Sequence, residues 1–353
     1  MNMSINLQER DKPQQAERAT PPGEVSRLPT PSQLREALPL DVRLQARIRQ
    51  HRQIIRQVLD GQDPRTLIVI GPCSIHDEVA ALEYGERLAQ LADDLSDRFV
   101  LVMRAYLEKP RTTVGWKGLL YDPERTGSGD MAQGLLRSRR LLLNLAELGL
   151  PLATEALSPL AMDYLDDIIS WTAIGARTTE SQIHREMVSG LATPTGFKNG
   201  TDGTLSAAIN AMKSAAHPHH RLGLLEDGAP AMLTTTGNAD THLVLRGGRG
   251  ITNYDADSVN NAMAALEGAG LTPRVMVDCS HDNACKQVER QLDIARDVMA
   301  QKAAGNHGIR GLMLESFLVQ GRQNDGAELV YGQSITDACL GWNETEALLR
   351  ELG

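Results

Sequence analysis

Two kinds of stretch alternate along the chain. One is a short, nearly continuous apolar run, as in Thr66–Ile70 (TLIVI), the pattern of a strand buried on both faces of a parallel sheet. The other is a longer segment with apolar positions at helical spacing. Eight runs of the first kind are counted: Thr66–Ile70, Phe99–Met103, Leu152–Thr154, Trp171–Gly175, Thr195–Phe197, His242–Leu245, Arg274–Val277 and Gly311–Leu314. Helices are expected over Val42–Leu59, from Glu78 to Leu95, over Met131–Leu148, from Ser158-Pro159, after Thr179, over Gly203–Ala216, after Asp257 and over Ala284–Ala304. Ser158-Pro159 suits an N-cap followed by N1, and Thr179 with Gln182 has capping-box spacing. Ala231–Thr236 (AMLTTT) is β-like but stands between the fifth and sixth runs, so it is assigned to an inserted hairpin over about residues 221–241. Eight βα units predict an α/β fold, a closed (β/α)8 barrel over residues 63–353, with an open doubly wound sheet as the alternative. Residues 1–62 form an N-terminal extension. Its first part, to about Pro31, is polar and spaced by prolines. It is expected to be an arm with little fixed structure of its own, or one that docks on another subunit.

Composition narrows the class. The 353 residues are 41% hydrophobic, ordinary for a globular protein. No apolar run approaches a membrane span, and no export signal is recognised, so a cytoplasmic protein is expected. The four cysteines, Cys73, Cys279, Cys285 and Cys339, are then expected as thiols or ligands rather than disulfides. A formal charge of -9 argues against nucleic-acid binding but leaves room for a local basic pocket.

That pocket emerges at the strand ends. Just past the eight runs stand Cys73, Arg104, Glu155, Arg177, Lys198, Arg246, Asp278 with His281, and Glu315. In a parallel barrel these ends share one face, where the chemistry is placed. Arg104, Lys109, Arg111, Arg177, Lys198 and Arg246 gather positive charge in an acidic protein, a repulsion that ligands with two anionic groups would offset. Glycines in Arg246-Gly247-Gly248 and Phe197-Lys198-Asn199-Gly200 allow a ligand to approach the backbone. A second group, Cys73, His281, Glu315 and Asp337, offers a thiolate, an imidazole and two carboxylates, a mixed set suited to a borderline divalent metal (Mn, Fe, Co or Zn). A rival cluster, Cys279-Ser280-His281 with Cys285, lacks a fourth ligand nearby and is disfavoured.

Several long motifs resemble one family. GPCSIHD (71–77), RAYLEKPRTTVGWKG (104–118), IGARTTESQIHRE (174–186), GFKNGTDG (196–203), LRGG (245–248), VDCSH (277–281), LES (314–316) and YGQSITDACLGW (331–342) are similar to class I 3-deoxy-D-arabino-heptulosonate 7-phosphate (DAHP) synthase of the enteric-bacterial and yeast type. The match runs from about Leu28 to the carboxyl terminus. The resemblance implies a (β/α)8 barrel that condenses phosphoenolpyruvate, erythrose 4-phosphate and water to DAHP and phosphate, at the entry to the shikimate pathway. It implies Cys73, His281, Glu315 and Asp337 as ligands of one divalent metal. Arg104, Lys109, Arg177, Lys198 and Arg246 correspond to the phosphoenolpyruvate site, and Arg111 and Thr112 to the erythrose 4-phosphate site. Glu155 falls on an active-site carboxylate, and Lys109 is a candidate proton donor.

The family is typically inhibited by an aromatic amino acid, in a pocket that involves the hairpin and a neighbouring subunit's arm. Matching positions here are Leu191, Ala192, Arg221, Gly223 and Leu233. Gly223 resembles the tyrosine-sensitive type, where removal of a side chain would make room for a phenolic hydroxyl. Ala192 and Arg221 depart from the usual serine and aromatic residue. Tyrosine is therefore the expected effector, with tryptophan second, and a homodimer or homotetramer the expected assembly. Two other functions are weighed: a sibling enzyme condensing phosphoenolpyruvate with another sugar phosphate, and a non-catalytic aromatic amino acid sensor. Lys109-Pro110-Arg111-Thr112 speaks against the first, and the retained ligands and cations speak against the second.

Overall fold

In the computed structural model the chain is described at residue 23 and over residues 25–326 and 328–353. Most of the expected N-terminal arm, residues 1–22 and 24, lies outside the described residues. Eight strands close into a parallel barrel: β1 (Thr66–Gly71), β2 (Phe99–Arg104), β3 (Leu152–Glu155), β4 (Trp171–Ile174), β5 (Thr195–Lys198), β8 (Thr241–Leu245), β9 (Val275–Asp278) and β10 (Ile309–Glu315). They correspond to the eight expected runs. Between β5 and β8 stands the expected insertion, an antiparallel hairpin of β6 (His220–Leu224) and β7 (Pro230–Thr234). A short pair, β11 (Val319–Arg322) and β12 (Gln333–Ser334), follows the barrel.

The helices are α1 (Pro31–Ala37), α2 (Val42–Asp60), α3 (Glu78–Asp94), α4 (Met131–Glu147), α5 (Pro159–Leu165), α6 (Gln182–Val188), α7 (Ser206–Ala215), α8 (Ala256–Gly268), α9 (Arg290–Ala303) and α10 (Trp342–Leu352). Five differ from expectation. Thr179 does not cap α6. Its hydroxyl donates to the carbonyls of Gly175 and Lys198, tying the ends of β4 and β5, and Ser181 precedes the helix. The helix expected from Ala284 begins only at Arg290, because Cys285 and Lys286 adopt left-handed backbone angles. α8 starts at Ala256, because Asp255 rather than Asp257 caps it by accepting from the Ser258 N–H. α1 and α10 were not anticipated, although Thr30 and Gln33 form a reciprocal capping box at α1.

Period-two alternation builds the interior. Leu67 and Val69 of β1, Val100 and Val102 of β2, Ala153 of β3, Trp171 and Ala173 of β4, Val244 of β8, Met276 of β9 and Met313 of β10 form one buried cluster inside the barrel. Ile55, Val58 and Leu59 of α2 join it, each worth roughly 1.5–3 kcal/mol of burial. α2 thus plugs the N-terminal end of the barrel, and its polar residues bind the strand entrances. Arg52 donates to the Ile169 carbonyl before β4, Arg56 pairs with Asp240 before β8, and Asp60 takes Arg274 before β9 at 2.8 Å. With that end closed, the C-terminal end is left for ligands.

Candidate active site

The same alternation carries the apolar interior directly into the site. Two residues beyond inward Val102 lies Arg104, and Glu155 stands in the same relation to Ala153. Lys198 follows Gly196 in this way, Arg246 follows Val244, Asp278 follows Met276, and Glu315 follows Met313. Glycine makes room where neighbouring strands crowd. A Cβ at Gly175 would stand 2.2 Å from Glu155 Oε1, and one at Gly71 would stand 2.9 Å from the Arg104 carbonyl. All of these strand-end side chains but Asp278 line a cavity of about 720 Å³ at the C-terminal mouth. Cys73, Arg104, Lys109, Arg111, Thr112, Glu155, Arg177, Lys198, Arg246, His281, Glu315 and Asp337 all border it.

Within the cavity, Cys73, Glu315 and Asp337 each present a ligand atom, and these atoms lie within 4.8 Å of one another. Lys109 Nζ lies 2.9 Å from Cys73 Sγ and 2.7 Å from Asp337 Oδ2, so a cation already bridges the thiol and the carboxylate. Burial and the Glu315 carboxylate push the Cys73 thiol up to about 12. Burial opposes charge on Lys109, but Cys73, Asp337 and Glu315 outweigh it and raise the ammonium above the ordinary lysine range. Asp337 is likewise held well below the usual carboxylate range, because Lys109 outweighs its burial. A buried sulfur and two carboxylates, arranged around a cation, fit a borderline divalent ion.

His281 is outside that tight set. Its Nδ1 lies 2.9 Å from Asp278 Oδ2 and 2.7 Å from Ser280 Oγ, which leaves Nε2 as the nitrogen available to the cavity. Asp278 is fully buried. His281 and Lys198 outweigh its desolvation and keep it ionised, and Lys198 Nζ donates to it at 2.8 Å. Glu315 is pinned at its backbone: Gln291 accepts from its N–H at 2.8 Å and donates to its carbonyl at 3.1 Å.

The cations arrive in different states. Arg104 is 1% exposed, donates to Glu315 at 3.2 Å and stacks over Tyr106. Arg246 pairs with Asp282 at 2.8 Å, and Arg177 reaches the Thr112 hydroxyl at 3.0 Å. Arg111 folds back over Gly115, where a Cβ would stand 2.7 Å from its guanidinium.

Sequence reasoning missed Glu108, Lys286, Gln291 and Arg322, all of which border the cavity. Glu108 is buried and pushed up to about 7 by desolvation, with Glu155 adding to the shift. It accepts from Tyr121 Oη at 3.1 Å and from the Ser158 N–H at 3.2 Å. Its place beside Lys109 in RAYLEKPRTT was the available signal. Gln291 and Arg322 carry no local signal.

The five positions matched to an effector pocket lie around the hairpin. Arg221 and Leu233 are cross-strand partners, and Arg221 reaches Asp163 of α5 at 3.5 Å. The space left by Gly223 is filled: a Cβ there would stand 2.5 Å from Leu233 Cδ1. The expected vacancy for a hydroxyl is therefore taken by Leu233. Leu191 packs partly buried against the core and Ala192 is exposed. The same chain's N-terminal segment also reaches the hairpin, since Ser32 N–H donates to the Glu226 carbonyl at 2.9 Å.

Among known proteins, the chain is 53% identical over 328 residues to the Tyr-sensitive phospho-2-dehydro-3-deoxyheptonate aldolase of Escherichia coli K12, covering 92% of each. It is 49% identical over 331 residues to the Phe-sensitive enzyme of the same organism, covering 93% of this chain and 94% of that one. The solved structure of phospho-2-dehydro-3-deoxyheptonate aldolase from Francisella tularensis SCHU S4 superposes with a TM-score of 0.91 at 40% identity, covering 93% of this chain and 96% of that one. Residues 41–350 match the DAHP synthetase I family, and the chain belongs to that family.

Proposed function

We propose that the protein condenses phosphoenolpyruvate with erythrose 4-phosphate and water to give DAHP and inorganic phosphate. The observation that carries this reading is one cavity edged by a Cys–Glu–Asp donor set and ringed by cations from separate strand ends. Cys73, Glu315 and Asp337, with His281 through Nε2, would hold a divalent metal, and the bound ion would supply Lewis-acid polarisation of the aldehyde oxygen. Mn, Fe, Co and Zn all suit the donors.

Arg104, Lys198, Arg246 and Arg177 would bind the carboxylate and phosphate of phosphoenolpyruvate through charge-assisted hydrogen bonds. Their present partners, Glu315, Asp278 and Asp282, hold three of these heads in place before substrate arrives. Arg111 and Thr112 would take the phosphate of the aldose. As C3 of the enol phosphate adds to the carbonyl, the oxygen gains negative charge. Lys109, held protonated, is placed to donate to it. Water must add at C2, and Glu155, buried at the cavity wall, would orient it.

For regulation we favour tyrosine as the effector, on the ground that the Tyr-sensitive relative is 53% identical to this chain and the Phe-sensitive relative 49%. A binding site would require Leu233 to move. Inhibition assays with each aromatic amino acid decide it, and phenylalanine as the strongest inhibitor would overturn this choice. The decisive test of the activity is phosphate release from phosphoenolpyruvate on chelator-stripped protein with metals added back. Release must require both erythrose 4-phosphate and a divalent metal. Release with arabinose 5-phosphate instead would point to the sibling reaction.

A further inference from the structure

The inner cations of the cavity are already compensated. Arg104 pairs with Glu315, Lys109 with Asp337, Lys198 with Asp278 and Arg246 with Asp282, all within 3.2 Å. Beyond a Debye length of about 8–10 Å such pairs project little field. The chain as a whole carries a formal charge of -9, so an approaching polyanion meets net repulsion. The attraction must come from positive charge at the mouth that no carboxylate cancels. Arg111 and Arg177 supply part of it. Lys286 and Arg322 are the other exposed cations on the cavity wall, and among the described residues neither head group is in an ion pair or a side-chain hydrogen bond.

The backbone at Lys286 points the same way. Cys285 and Lys286 have φ of 48° and 62°, consecutive left-handed residues with no glycine, asparagine or aspartate between them. Such angles cost free energy and persist where the surroundings enforce them. Here the turn is closed by Lys286 N–H to the His281 carbonyl at 3.3 Å and Gln287 N–H to the Ala284 carbonyl at 3.0 Å. A lysine thus occupies a position that glycine would fill without strain, and its side chain lines the mouth.

We propose that Lys286 and Arg322 form an electrostatic rim that draws phosphorylated substrates into the cavity. The proposal rests on the condensation reading above and adds two residues to it. Neither touches the reacting atoms. Their effect is on capture, so it appears in kcat/KM and in its response to salt.

The test is the double variant Lys286→Asn/Arg322→Gln, since asparagine tolerates a left-handed backbone and removes the charge. A control, Arg43→Gln/Arg98→Gln, changes net charge equally at exposed positions away from the mouth. At an ionic strength of about 10 mM, kcat/KM of the rim variant for phosphoenolpyruvate should fall about tenfold or more below wild type. The gap should close as salt approaches about 1 M, where the Debye length is about 3 Å. The control should track wild type throughout, and the melting temperature of Lys286→Asn should equal or exceed that of the parent. A wild-type-to-variant ratio that is the same at low and high salt overturns the rim. Phosphoenolpyruvate binding, followed by tryptophan fluorescence across the same salt series, reads the rim independently of turnover. If wild type binds with the expected salt slope but releases no phosphate, the condensation reading fails and the rim stands.

Discussion

Lys109 Nζ lies 2.9 Å from Cys73 Sγ, with Asp337 completing the bridge at 2.7 Å. A strand-end thiol and a lysine 36 positions on share one charge-balanced contact. The ammonium therefore competes with a divalent ion for the same donors. Lys109→Met should bind Mn or Zn at least as tightly as wild type in a calorimetric titration, while turnover collapses. Weaker metal binding in that variant would contradict the competition.

Cys73 supplies the soft donor of the set. Cys73→Ala should lower metal-dependent phosphate release by more than about a hundred-fold, beyond the loss typical of removing even an outer partner of a metal ligand. Metal content after dialysis checks the cause. Full activity in the chelator-stripped variant would refute the ligand role.

Arg111 stands apart from the paired inner cations. Arg111→Ala should raise KM for erythrose 4-phosphate by roughly ten- to a hundred-fold, the equivalent of a charge-assisted hydrogen bond of about 1.5–3 kcal/mol. KM for phosphoenolpyruvate should change far less. Initial-rate kinetics with each substrate varied will read the difference.

Gly248 lets two site loops meet. A Cβ there would stand 2.1 Å from the backbone nitrogen of Gly203, and backbone cannot yield as a side chain can. Gly248→Ala should cost about 1–3 kcal/mol in denaturant unfolding. It should also raise KM for phosphoenolpyruvate, because the loops that follow Lys198 and Arg246 are forced apart.

His242 is fully buried in β8, and desolvation, with Arg274 adding, lowers it from 6.5 to about 3. His51 on α2 is lowered to about 4 by burial and Arg47. In both cases the unfolded chain binds the proton more readily than the folded one. The contribution of these two histidines to stability is therefore full above about pH 6.5 and falls as pH drops toward 3, by an amount of order 4 kcal/mol for His242. His242→Leu should flatten that acid slope in part, with His51 accounting for the remainder. An unchanged slope in urea unfolding between pH 6.5 and 4 would assign it to other groups.

The eight strands were legible because burial on both faces leaves an uninterrupted apolar signature, as in Thr66–Ile70, that needs no knowledge of neighbours. Their place directly past those runs then made the strand-end cations and carboxylates legible too, because the strand ends of a parallel barrel share one face. What position along the chain could not supply was partnership. That Arg104 lies against Glu315 and Lys198 against Asp278 depends on which strands close the barrel side by side. The left-handed turn at Cys285-Lys286, which delays α9 and aims a lysine at the mouth, is held by hydrogen bonds within its own loop that composition does not encode. Leu233 filling the space at Gly223 depends on the cross-strand packing of the hairpin. The chain's local pattern determined which residues face inward. Only the closed barrel decided how far each stands from the next, and those distances set the charges on which the chemistry depends.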